Sequence, residues 1–301
     1  MKRTTLACWT LFLMIGCPGS TQAADAKDKP ESEQKDEQKA EEARLFPDPA
    51  LEAVVRQSVF DKRNNDEPLT EDDVRNIADI TGKGKGIKDL TGLDKCVSIA
   101  SLDLANNAIR NLSALKGLNR LQSLNLAGNK ITDLTPLNRL IGLQYLHISG
   151  NQITDLSPLA KLRALTSLDL SDNDIKFLRH VGDLRKLHSL YLDGNAIKDI
   201  EPLRGLTNLS SLGLRDNRVS ALAPLLGLAD LRYLFLEGNK VKTLAPLVAM
   251  ARIDADGDQR FARYWRLYLA DNPLSDDARR DQIAELQKLG AWISLDRVRR
   301  K

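Results

Sequence analysis

Between Leu121 and Asn208 the apolar and polar positions follow one 22-residue phrase, written four times. Its first copy runs Leu121-Gln-Ser-Leu124-Asn-Leu126-Ala-Gly-Asn129-Lys-Ile131, continues through Leu134, Pro136, Leu137 and Leu140, and restarts at Leu143, Leu165 and Leu187. The alternation of Leu124 and Leu126 predicts a strand buried on one face, and Asn129 stands where the chain must turn inward. Looser copies start at Ile77, Ile99, Leu209, Leu231 and, after an interruption, Tyr264, which makes about nine coils. A fixed period of this length means stacked units, each of which can bury its apolar face only against its neighbours.

Two polar columns keep the register. Asn recurs at 107, 129, 151, 173, 195, 217, 239 and 272, and an amide there can donate to and accept from neighbouring backbone, forming a ladder. Pro recurs at 136, 158, 202, 224 and 246, where it fits the first position of a short 3₁₀ or helical turn. His180 takes its place in the fifth coil, and the first coil is degenerate, with Gly82 and Lys85 at apolar and Asn positions.

The phrase L-x-x-L-x-L-x-x-N-x-I/L resembles the leucine-rich repeat in the 22-residue form of bacterial internalin-like proteins. The segment FPDPALEAVVRQ, beginning at Phe46, resembles the helical cap that precedes such repeats. The resemblance implies an α/β solenoid: a right-handed superhelix with a curved parallel β-sheet on its concave face and short 3₁₀ or helical turns on its convex face. Helical caps are expected at both ends, because an uncovered end coil would expose Leu-rich core and a strand edge.

Taken in order, residues 1–24 read as an export signal: Lys2 and Arg3, an apolar run over Leu6–Ile15, then small residues. Two cleavage readings compete. Met14-Ile15-Gly16-Cys17 looks like a bacterial lipobox, which would make Cys17 a lipid-bearing membrane anchor, whereas Thr21-Gln22-Ala23 looks like an ordinary signal-peptidase site. Either places the protein outside the cytoplasm, in the cell envelope or secreted. Residues 25–44 hold almost no large apolar side chain and are expected to be a solvated, disordered linker. A helical cap over 45–76 should contain one helix over Ala50–Phe60, with Leu51, Val54, Val55 and Val59 inward, and a second capped by Thr70 with Asp73 three residues on. The repeats occupy 77–274 with an insertion near 251–263, and 275–301 form a cap helix, Asp276–Leu289, and a basic tail. Asp254-Ala-Asp256-Gly-Asp258 in the insertion begins like a calcium loop but departs from that pattern at Gln259 and Trp265, so a helix extension or loop is expected there.

Charge removes several functional classes. Lys+Arg 44 against Asp+Glu 41 gives a formal net charge of +3, spread along the sequence, so no strong field for nucleic acid or an anionic membrane is implied. Of 3 cysteines only Cys96 lies in the folded part, in the column of Leu118 and Leu140, where a core thiol is expected. The three His, 147, 180 and 188, stand apart in register and offer no metal or catalytic cluster. No enzyme, cofactor or metal is therefore expected.

Recognition is left to the concave strand positions. Tyr145, His147, Asp169, Tyr191 and Asp193 are candidates in the regular coils; Arg215, Tyr233, Phe235, Glu237, Arg266 and Tyr268 follow, with aromatic rings gathering toward the C-terminal half. Such rings flanked by Arg215, Asp193 and Glu237 are expected to form a hot spot for a protein partner, by a monomeric binding module. The alternative is an envelope glycan, stacked on the same rings.

Overall fold

The structure, a computed structural model, describes residues 44–257, 259 and 262–297. The export signal, Cys17, nearly all of the linker and Arg299, Arg300 and Lys301 of the tail lie outside them. Among the described residues no helix is long and apolar enough to cross a membrane.

Ten three-residue strands form one parallel sheet in sequence order. They are β1 (Asp79–Thr81), β2 (Ser101–Asp103), β3 (Ser123–Asn125), β4 (Tyr145–His147), β5 (Ser167–Asp169), β6 (Ser189–Tyr191), β7 (Ser211–Gly213), β8 (Tyr233–Phe235), β9 (Arg266–Tyr268) and β10 (Trp292–Ser294). Pairing is in step with the repeat: Leu124 lies opposite Leu146, and Leu146 opposite Leu168. The inward Leu of each strand from β2 to β9 is buried, and so is the following apolar residue, such as Leu126 or Leu170. The nine strands that the repeat predicts are all present. β10 is an addition, formed after the terminal helix and paired with β9.

The Asn column is the ladder that its register implies. Asn173 Oδ1 accepts from Ile153 N (3.0 Å), while its Nδ2 donates to the carbonyls of Ile148, Leu170 and Ser171 at 3.0–3.1 Å. Equivalent sets recur from Asn107 to Asn272. Each amide thus satisfies backbone groups of the preceding coil and of its own turn, groups that would be expensive to bury unpaired.

On the outer side, 3₁₀ turns such as Thr135–Leu137 and Ser157–Leu159 carry Pro at their start. In these two an acidic side chain two residues ahead accepts the turn's first N–H: Asp133 from Thr135 N (2.8 Å), Asp155 from Ser157 N (2.9 Å). The fifth coil has Phe177 in place of that acceptor and His180 in place of Pro, and it forms no 3₁₀ helix. Phe177 is instead 78% exposed.

Both ends are covered. α1 (Pro49–Gln57) is capped by Asp48, buries Leu51, Val54 and Val55, and ends three residues before Phe60, which is left exposed. Gly82 explains its seat: a Cβ there would come within 3.0 Å of Val54 and Ile87, so the missing apolar side chain makes room for the cap. The loop after α1 is built on Arg56, whose guanidinium donates to the carbonyls of Lys62, Asn65 and Glu67. α2 (Glu71–Val74) has the reciprocal Thr70–Asp73 capping box. At the far end the outer turn of the eighth coil lengthens into α3 (Ala245–Asp256), which takes in Asp254 and Asp256 as helical residues. The terminal helix begins under the Ser275 hydroxyl, passes through a π-helical turn over Ala278–Gln282 and ends as α4 (Ile283–Lys288).

Candidate partner-binding face

Strand alternation sends the middle residue of each strand inward and its neighbours to the concave face. In β1 to β3 those neighbours are Asp79, Thr81, Ser101, Asp103, Ser123 and Asn125, all small and polar. The surface changes at β4.

Tyr145 is 54% exposed and, with His147, Asp169 and Tyr191, walls a shallow cleft of about 370 Å³ whose floor carries Ser123 and Ser167. His147 Nε2 lies 2.7 Å from Ser149 Oγ and 3.2 Å from Asp169 Oδ2. A nucleophile relay needs serine on one ring nitrogen and carboxylate on the other. Here one nitrogen faces both, which makes the group a hydrogen-bonded clamp. Burial works to raise the Asp169 pKa; hydrogen bonds from His147 and Ser171 outweigh it and hold the carboxyl below the usual aspartate range.

The C-terminal half is more tightly built. Arg215 donates from Nε to Glu237 (3.0 Å) and from Nη1 to Asp193 (3.3 Å), and its backbone N–H donates to Asp193 (2.8 Å). Asp193 and Glu237 are only 4% and 1% exposed, so they are not the open flanking charges that alternation suggests. Gly213 is the reason Asp193 can turn in: a Cβ there would lie 2.8 Å from its carboxylate and 2.9 Å from the Tyr191 ring. The two acids fix the guanidinium, which lies 4.0 Å from the Phe235 ring centre and 5.9 Å from that of Tyr268.

From this point aromatic rings run to the edge of the sheet. Tyr233 and Phe235 are 6.5 Å apart and near parallel, Phe235 stacks on Tyr268 at 4.7 Å, and Tyr268 meets Trp292 edge-on at 5.4 Å. Arg266 lies over Trp292 at 5.4 Å. Tyr233 and Trp292 are the outermost rings, 44% and 45% exposed. Trp292 is absent from the sequence candidates; the Trp-Ile-Ser alternation after Gly290 is its signal, but no Asn follows to announce a coil. Tyr145, His147 and Asp169 form a separate group, with Tyr191 between the two. Cys96 is fully buried, and burial pushes its thiol up to about 12, which makes it a poor nucleophile.

A parallel sheet of stacked coils closed by an Asn ladder, with 3₁₀ turns on its outer side, defines a leucine-rich repeat protein. The model of the leucine-rich repeat region matches residues 85–250, and the chain belongs to that family. Among solved structures it is similar to internalin C2 of Listeria monocytogenes, with 30% identity over 68% of this chain and 91% of that one and a TM-score of 0.66. A leucine-rich repeat protein of Leptospira interrogans (23% identity, 69% and 57% of the two chains, TM-score 0.59) shares the fold. So does the functional domain of InlJ from Listeria monocytogenes (22%, 81% and 54%, TM-score 0.60). That InlJ domain includes a cysteine ladder, whereas this chain builds its ladder from Asn. No match was found among curated proteins. Folds of this kind are protein-interaction scaffolds in general.

Proposed function

We propose that this chain is an exported, non-enzymatic binding protein that holds a protein partner on the C-terminal part of its concave sheet. The carrying observation is the Arg215-anchored row of Phe235, Tyr268 and Trp292 with Tyr233 beside it. Rings immobilised before binding lose little conformational freedom when a partner lands on them, which is the character of a binding hot spot. Ten strands at about 4.8 Å span roughly 43 Å, enough for an interface of standard size. A protein surface suits the row better than a glycan, because the inner ring faces are already engaged with each other and with Arg215. The His147 cleft, open and without a relay geometry, supplies a second set of polar contacts and no chemistry.

Export rests on the leader sequence, and Cys17 is the proposed lipid-bearing residue of a monomeric, envelope-held protein. Capture from an envelope extract tests the binding face. Wild type should retain a protein that Tyr233→Ala/Trp292→Ala loses, with both chains melting alike because the two rings are partly solvent-exposed. Retention of every partner by the double variant would refute the assignment. For the anchor, incorporation of a fatty-acid analogue should disappear in Cys17→Ser.

A further inference from the structure

The sequence spreads its basic residues, and the fold gathers seven of them. Each coil returns from its outer turn to its strand through the same tight turn, closed by Leu121 N to Leu118 O (3.0 Å), Leu143 N to Leu140 O (2.9 Å), Leu165 N to Leu162 O (3.1 Å) and Leu187 N to Leu184 O (3.0 Å). Because these turns are in register with the sheet, their residues form one ridge along the side of the solenoid. Lys116 and Arg120 stand on the turn before β3, Arg139 before β4, Lys161 and Arg163 before β5, and Arg185 and Lys186 before β6. All are exposed, and Asp183 is the single acid in the four turns. None of the seven forms an ion pair with a described residue. The ridge stops at the next turn, where Arg204 is held by Glu201. Within it stands Ile141, 65% exposed, in the same column as Arg163 and Arg185.

We propose that this ridge docks on the surface of an anionic phospholipid bilayer, the cations on head groups and Ile141 between them. Seven basic side chains with one acid among them, over four neighbouring coils, fit an array of phosphates, and an aliphatic side chain among them gains from hydrocarbon that a soluble polyanion does not offer. A nucleic acid fits less well, since none of these four turns carries an aromatic side chain on which a base could stack. The ridge lies to one side of the strands, so docking leaves the concave rings open and is independent of what they bind.

The test is sedimentation of the full chain with vesicles of pure phosphatidylcholine or of phosphatidylcholine with 30% phosphatidylglycerol, keeping the same N-terminus in every arm so that only the ridge differs. Each basic residue near such a surface is worth roughly fivefold in partitioning, so Arg139→Gln/Lys161→Gln/Arg163→Gln should bind anionic vesicles about a hundredfold more weakly than wild type. Added salt should reduce wild-type binding in the same direction. Arg139→Lys/Arg163→Lys, which keeps the charge, should bind as wild type does, and matching melts show that each variant is folded. Ile141→Ser should weaken vesicle binding by a smaller factor. Equal binding of wild type and the triple Gln variant to anionic vesicles would overturn the proposal. So would full binding by Ile141→Ser, or a preference of wild type for soluble double-stranded DNA over the vesicles.

Discussion

Replacing Asn173 measures what the ladder contributes. Its amide makes four hydrogen bonds at 3.0–3.1 Å, one accepted from Ile153 N and three donated to carbonyls, and the residue is 7% exposed. Asn173→Ala removes all four and leaves the buried Ile153 N–H unpaired, while the Ile148 C=O keeps its bond from the Asn151 amide. At about 1 kcal/mol per hydrogen bond, with the orphaned N–H at the upper end, the loss should be about 3–5 kcal/mol. Asn173→Asp is the sharper probe. A carboxylate still accepts from Ile153 N but sets its other oxygen against three carbonyls, so at neutral pH it should destabilise more than Ala does. Burial among acceptors raises that carboxyl's folded-state pKa above its unfolded value. The folded protein therefore takes up the proton first, and the Asp variant should regain stability relative to Ala as pH falls through the raised pKa, the gain being complete below about 3.9. Urea titration followed by far-ultraviolet circular dichroism reads each difference, and Asn138→Ala, on an outer turn, should stay within about 0.5 kcal/mol of wild type. A cost below about 1 kcal/mol for Asn173→Ala, or an Asp variant equal to wild type at neutral pH, would refute the ladder's role.

Three further substitutions test other parts of the account. Leu168→Asp puts a carboxylate at a fully buried strand position in mid-stack, and calorimetry should show the cooperative melt abolished. Arg215→Met leaves Asp193 and Glu237 buried without their cation and should cost about 3–5 kcal/mol, while Arg215→Met/Asp193→Asn/Glu237→Gln should recover most of it in the same titration. Asp73 is held down to about 2 from 3.8, first by hydrogen bonding from Lys62 and then from Thr70. Its depressed pKa means that its contribution is present above about pH 4 and lost as pH falls toward 2, so a stability profile over that range should be flatter for Asp73→Asn than for wild type.

What the chain disclosed in advance follows from what a period can carry. The Leu, Asn and Pro columns mark a backbone that repeats every 22 residues, so β1 to β9 could be placed from residue types alone. β10 lacked the Asn that closes a coil, and Trp292 went unread with it. Strand alternation put Asp193 and Glu237 on the surface, because it says which face a side chain leaves from and nothing about what covers it. Gly213 provides the space, and Arg215 turns two apparent surface acids into buried supports. The basic ridge was hidden for a related reason: residues such as Arg163 and Arg185 are a full repeat apart in sequence and become neighbours along the ridge only when the coils stack.

The most direct test of the concave-face reading is site-specific photocrosslinking in the envelope of producing cells, with benzoylphenylalanine in place of Tyr233, Trp292 or Phe177. Positions 233 and 292 should give the same discrete adduct with a second protein, and position 177, exposed but away from the sheet, should not. An adduct at 177 alone, or none at 233 and 292, would contradict the claim that this face receives the partner.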